Sequence, residues 1–232
     1  MGQDSLLIDL DPQANATSGL GFNKQDIECG IFQNLIDDVP LEKTINATGV
    51  ELLDIVCSSP DMLSAEIHLS TFVSRENKLK EAIKPFNYAY SFIVIDCPPS
   101  LGLLTINALC AADRVLIPMQ GEFFALEGLA GFFSAVKKIQ TGLNPRLCLE
   151  GGILTMFDQR FALAKQVKAE LEKFLGNTLF KTTIPRNVRL AEAPSFGKTI
   201  FEYDPRSKGG ESYLELAGEF LGRRGWRGMK LN

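Results

Sequence analysis

The chain has 232 residues, 45% of them hydrophobic and 22% charged, with a formal net charge of −4 and a mean hydropathy of +0.04. That is enough apolar material for one sizeable α/β domain and too much for a disordered chain. A net negative charge excludes a general attraction to polyanions, so any nucleic-acid contact must come from a local basic patch. Cys29, Cys57, Cys97, Cys110 and Cys148 form no C-x-x-C pair, and His68 is the single histidine. A zinc cluster and a Ser-His-Asp triad are therefore not expected, and the thiols read as free cysteines of a reducing compartment. There is no basic-then-apolar leader pattern and no run of about 18 apolar residues, so neither a secretory leader nor a membrane-spanning helix is expected.

Along the chain, short β-rich runs alternate with helical patterns. Strands are predicted at Leu6–Leu10, Leu52–Cys57, Phe92–Cys97, Val115–Met119, Leu149–Met156 and Leu179–Ile184. Phe92 to Ile95 and Val115 to Ile117 are continuously apolar, as in parallel strands covered on both faces. Helices are predicted near Arg75–Lys84, Leu101–Ala112 and Glu211–Leu221. Two more follow from apolar residues recurring at three and four: Leu126, Leu129, Phe132, Phe133, Val136 and Ile139, then Ala164, Val167, Leu171 and Phe174 with Gly176 as a stop. Strand alternating with helix implies an α/β fold with a doubly wound, mostly parallel sheet flanked by helices. No repeat or linker is visible, so residues 1–221 read as one domain. Residues 222–232, with Arg223, Arg224, Arg227, Lys230 and the single Trp226 among glycines, read as a basic flexible tail.

Ligands of open α/β sheets bind at the carboxyl ends of the strands, and four such ends here carry unusual chemistry. The first strand runs into Asp9-Leu10-Asp11-Pro12-Gln13, with two carboxylates entering a turn; the two acids are expected to face apart. Asp11, nearer the loop, is the candidate to position an attacking water, and Asp9 to help orient a metal shell. Phe92 to Asp96 is an apolar strand ending in a carboxylate, a Walker-B pattern suited to magnesium held through water. Pro98 and Pro99 fix the exit, and Ser100 is placed to cap the next helix. The other two ends are Met156-Phe157-Asp158 and Ile184-Pro185-Arg186-Asn187. Arg160, Arg186, Arg189, Lys198, Arg206 and Lys208 concentrate positive charge in the C-terminal half, a possible phosphate-binding patch. Gly197-Lys198-Thr199 looks like the end of a phosphate-binding loop, but position 192 is Glu where that motif needs Gly, and the flanking strand and helix are missing.

Taken together, LLIDLDPQANATSGLG (6–21), FIVIDCPPSLGLLTINAL (92–109), GLNPRL (142–147), TMFD (155–158), IPRNVRLAEAPSFGK (184–198) and YDPRS (203–207) closely resemble the ParA/Soj family of chromosome- and plasmid-partition ATPases. The resemblance runs from Leu6 to Leu221. It implies a P-loop NTPase-like fold, ATP and ADP with magnesium as ligands, and a nucleotide-sandwich homodimer. It also implies DNA binding without sequence preference, hydrolysis stimulated by a ParB-type partner, and a cytoplasmic, nucleoid-associated location. Carried over by motif, Asp11 and Asp9 would be the catalytic acids and Asp96 the magnesium residue. Pro12, Met156, Phe157, Asp158, Pro185, Arg186 and Asn187 would contact nucleotide, and Arg160 and Arg189 DNA.

The family also begins with a strand, a KGGVGKT-like loop and a helix, and none of the three occurs in residues 1–232. The expectation is a fold short of its first strand, phosphate loop and first helix, with Met1 an internal methionine of a longer protein. Since the missing strand is central, a gap in the core or exposed strand edges should result. The chain by itself is expected not to hydrolyse ATP. The alternatives are a non-catalytic DNA- or partner-binding remnant and a MinD-like division-site protein. The latter would need an amphipathic membrane helix in place of the glycine-rich tail. A nitrogenase-iron-protein-like reductase would need paired cluster cysteines.

Overall fold

A computed structural model of the protein describes residues 2–86, 88–121 and 125–225, without the side chains of 125–128. The elements in chain order are β1 (Ser5–Asp9), α1 (Asn15–Gly19), α2 (Ile31–Ile36), β2 (Ile45–Ala47), β3 (Leu53–Val56), α3 (Met62–Ser70), α4 (Lys78–Ile83), β4 (Phe92–Asp96), α5 (Leu103–Ala111), β5 (Arg114–Gln120), α6 (Ala125–Gly142), β6 (Cys148–Phe157), α7 (Ala162–Leu175), β7 (Leu179–Pro185), α8 (Val188–Glu192), α9 (Ile200–Tyr203) and α10 (Lys208–Arg223). None of the described helices is long and apolar enough to cross a membrane.

The strands form two sheets, ordered β2-β3-β1-β4 and β5-β6-β7. All ladders are parallel except β2 with β3. β1 is the centre of the first sheet because Leu6 and Ile8 are fully buried and both its edges are paired, to β3 and to β4. β2 had no forecast in the sequence. Three residues carry no periodicity, and the strand exists only because β3 offers an edge. Leu6, Ile8 and Leu10 pack with Ile31, Leu35, Val56, Met62, Leu69 and Leu79 in the larger core. A second core lies under α7, whose Ala164, Val167, Leu171 and Leu175 meet Leu154 and Leu179.

β4 and β5, consecutive strands of a β–α–β crossover, do not pair with each other. Each has one neighbour and one open edge. The apolar runs expected to be covered on both faces are covered on one: Val94 is 54% exposed and Leu116 38%. β4 and β5 are thus each an end strand of their sheet, with apolar side chains exposed, among the described residues. Helices hold the halves together. Leu109 and Cys110 of α5 pack with Val136 and Ile139 of α6 and with Leu147, while Phe92 of β4 meets Phe220 of α10 at 5.7 Å between ring centroids.

Two local expectations are corrected. Ser100 does not cap α5; Gly102 does, in an extended conformation, and the Ser100 carbonyl accepts the Thr105 hydroxyl instead. The chain after Leu221 is not a tail from Gly222. α10 continues through Arg223, whose guanidinium donates to Glu219 and to the Leu179 carbonyl and lies 3.7 Å from the Phe180 ring centroid. Arg224 donates to the buried Glu150 at 3.0 Å. The remaining stretch, 226–232 with Trp226, lies outside the described residues.

Open parallel edges bearing apolar side chains recruit further strands. The paired substitution Val94→Lys with Leu116→Lys is expected to reduce concentration-dependent self-association in sedimentation velocity, with the unfolding midpoint close to wild type. Association unchanged by the two lysines would place the contact elsewhere.

Candidate functional site

At the carboxyl end of β1 the backbone turns sharply. Asp9 is fully buried, and both oxygens of its carboxylate are hydrogen-bonded by its own chain. Oδ2 accepts the Thr17 N–H and the Thr17 hydroxyl, each at 2.8 Å, and Oδ1 accepts the Asp11 N–H at 3.1 Å. The Thr17 hydroxyl also accepts the Ser58 N–H at 2.9 Å, and the Ser58 hydroxyl donates to the Asp11 carbonyl. One buried acid therefore ties together the turn, α1 and the exit of β3. The tie holds Ala14 at φ 53°, a left-handed conformation that costs a non-glycine residue energy. Burial raises the Asp9 carboxyl while the Thr17 bonds pull it back.

Asp11 is half-buried, lies beyond the strand, and accepts the Gln13 N–H at 2.9 Å. The two acids are not set apart by strand alternation, which would put positions 9 and 11 on one face. The strand ends at Asp9, and the turn alone aims Asp11. Asp9, expected to orient a metal shell, has its oxygens committed to protein donors, so its action on any ligand runs through the turn.

Asp96 ends β4 in register with Asp9. Burial, with Asp9 and Asp11 adding like charge, pushes its carboxyl up to about 6. The same burial, with Asp96 beside it, raises the Cys97 thiol to about 12, and Cys57 rises to about 11. No group of three His, Cys, Asp or Glu side chains able to hold a metal occurs among the described residues. An oxygen-only donor set with a carboxylate in want of positive charge fits magnesium, which binds through one or two carboxylates and otherwise through water and phosphate. Asp96 is the residue that would hold it.

The second sheet ends in a cleft of about 330 Å³ lined by Gln120, Gly121, Met156, Asp158, Phe161, Leu163, Ala164 and Arg186. Of the sequence candidates, Met156, Asp158 and Arg186 line it. Met156 has φ 50° and is 52% exposed, a strained residue at the cleft mouth. Phe157 does not reach the cleft; its side chain is buried in the second core. Pro12 is outside the lining, in the turn of the first sheet. Pro185 ends β7, and Asn187 caps α8, its Oδ1 accepting the Arg189 N–H at 2.8 Å. Gln120 and Gly121 follow a predicted strand and could have been flagged by the strand-end rule. Phe161, Leu163 and Ala164 could not, because only the packing of α7 over the sheet brings them in.

Arg160 and Arg189 are both solvent-facing and both ion-paired. Arg160 meets Asp158 at 2.6 Å; Arg189 meets Glu192 at 2.9 Å and Asp204 at 3.5 Å. The Arg160 guanidinium holds the Asp158 carboxyl down at about 2. The Gly197-Lys198-Thr199 segment is structural. Gly197 adopts φ 60°, and a Cβ there would lie 2.6 Å from the Gly21 Cα, while Thr199 and Glu202 form a capping box on α9.

Residues 1–149 match the protein family described as an AAA domain. The chain is 51% identical to the sporulation initiation inhibitor protein Soj of Bacillus subtilis (strain 168), over 94% of this chain and 87% of that protein. It is 47% identical to the chromosome partitioning protein ParA of Myxococcus xanthus, over 94% of this chain and 77% of that protein. Among solved structures it resembles cobyrinic acid a,c-diamide synthase from Mycobacterium smegmatis with bound ATP analogue and magnesium. The TM-score is 0.82 at 30% identity, covering 97% of this chain and 84% of that one.

The raised Asp96 carboxyl makes a signed forecast. A carboxyl whose folded value lies above its unfolded value contributes stability below the unfolded value and loses it as pH rises through the folded one. For Asp96 that window runs from 3.8 to about 6. Asp96→Asn should therefore melt higher than wild type at pH 8, with the gain gone by pH 4. Magnesium at pH 8 should raise the wild-type midpoint and not the variant's.

Proposed function

This chain belongs to the Soj/ParA family of chromosome-partitioning ATPases, and from that premise we propose that residues 1–221 form the carboxylate and base-binding parts of an ATP–magnesium site and carry a DNA-binding surface. The observation that carries this proposal is the placement of chemistry on the sheets. Three carboxylates, Asp9, Asp11 and Asp96, stand at the ends of β1 and β4, and a base-sized cleft stands at the ends of β5 to β7, the edge where open α/β sheets bind nucleotides.

The division of labour follows from the hydrogen bonds. Asp9 fixes the turn. Asp11, held by that turn and only half-buried, would orient a water by accepting a hydrogen bond from it. Asp96 anchors the divalent ion through water. Met156, Asp158, Pro185, Arg186 and Asn187 form the base site, with an apolar wall and few polar groups. ATP, when bound, would supply the phosphoanhydride, and its magnesium ion the positive charge that Asp96 balances. Arg160 and Arg189 contact DNA phosphates without reading bases. A ParB-type partner, an ATP-state homodimer and a cytoplasmic, nucleoid-associated location belong to the same proposal.

Residues 1–232 include no Gly-x-x-x-x-Gly-Lys-Ser/Thr loop to hold phosphates. Purified residues 1–232 are accordingly expected to show no ATP turnover, with or without DNA; measurable DNA-stimulated phosphate release would overturn this. Charge removal at the arginines tests the other half. Arg160→Ala and Arg189→Ala should each weaken duplex binding alike for unrelated sequences and lower the slope of log affinity against log salt by about one unit. Binding that is unchanged across a salt series would remove these residues from the DNA surface.

A further inference from the structure

Strands β6 and β7 end in the same device. After β6 come Asp158, Gln159 and Arg160; after β7 come Arg186, Asn187, Val188 and Arg189. In each, a side-chain oxygen accepts the backbone N–H of the arginine two residues on, from Asp158 at 3.0 Å and from Asn187 at 2.8 Å. Asp158 and Arg186 also line the cleft. At β6 one residue, Asp158, both lines the cleft and holds its arginine; at β7 the cleft residue Arg186 is the sequence neighbour of Asn187, which holds Arg189.

At β6 the device carries a charge. Arg160 folds back so that its Nε lies 3.0 and 3.1 Å from the two Asp158 oxygens, with an Nη at 2.6 Å. The Arg160 side chain is 87% exposed and that of Asp158 only 19%. Asp158 therefore faces the cleft on one side and the guanidinium on the other. An exposed ion pair of this kind adds little to stability and is easily exchanged. With a carboxyl held down at about 2, the competitor for Asp158 at neutral pH is a hydrogen-bond donor and not a proton.

We propose that Asp158 is a positioning residue shared by two sites: its carboxylate holds Arg160 against the cleft rim, so that a base donating an amine N–H to Asp158 and a phosphate accepting from Arg160 each take one half of the same pair. Occupancy of the cleft and polyanion binding then favour each other, reciprocally. This rests on the base-site and DNA-surface assignments above.

Asp158→Asn separates the two roles. An asparagine oxygen can still accept the Arg160 N–H, as Asn187 does for Arg189, but the ion pair is gone. The variant should bind a short DNA duplex roughly three- to tenfold more tightly than wild type at a fixed salt concentration. The gain should be absent when Arg160→Ala is also present. Adenosine should tighten wild-type duplex binding and leave Asp158→Asn unmoved. Duplex binding by Asp158→Asn equal to or weaker than wild type overturns the proposal. A carboxyl titration by NMR keeps the two failures apart. Asp158 should titrate near 2 in wild type and return to the ordinary carboxylate range in Arg160→Ala. If neither form binds duplex, the DNA assignment falls while the titration still decides whether Asp158 holds Arg160; an ordinary value in wild type overturns the pairing itself.

Discussion

The carboxyl end of the first sheet depends on satisfying one buried charge. Asp9 has no exposed surface, and a buried carboxylate survives only if its oxygens are hydrogen-bonded. Here the donors come from three separate segments: Asp11 from the turn, Thr17 from α1 and, through the Thr17 hydroxyl, Ser58 from the end of β3. Each such bond left unmade would cost about 1–3 kcal/mol. The chain therefore accepts a left-handed Ala14 and a sharp reversal after Leu10. Asp11 is delivered to the surface of the site as a result. The acid that does the orienting and the acid that is oriented are two residues apart, and only the burial of the first makes the second precise.

The second constraint is the way the sheet is divided. Parallel strands are stable when both faces and both edges are covered, and β1 meets that condition while β4 and β5 do not. The continuity between the halves is carried by side chains. α5 and α6 share an apolar cluster on one side, and the Phe92–Phe220 contact closes the other. Gly21 and Gly197 touch backbone to backbone, which brings the turn after β1 close to the segment after β7. The carboxylates of one sheet and the cleft of the other consequently belong to one edge of the molecule although no ladder joins them.

Much of this was legible in the chain. The six predicted strands all exist, because Leu, Ile and Val runs ending in Asp or Pro leave few other options. The four informative strand ends were visible because a charged or helix-breaking residue directly after an apolar run is a local signal. What could not be read was direction and depth. Phe157 sits between two cleft residues in sequence yet packs with Leu154 in the second core, because the register of β6 shifts between Leu154 and Phe157, where Met156 takes a left-handed φ of 50°. Phe161, Leu163 and Ala164 enter the cleft through the docking of α7. β2 is three residues long and owes its existence to a neighbour's open edge.

The sequence by itself determined the family, the α/β alternation and the identity of the acids and arginines, because those depend on residue type and spacing. It also showed that no phosphate-holding loop lies within these 232 residues. Tertiary structure alone decided that Asp9 is sealed and Asp11 is not, that Asp158 is bound to Arg160, and that β4 and β5 each keep an open edge. Burial, pairing and hydrogen-bond saturation are properties of what arrives from elsewhere in the chain, and no local pattern contains them.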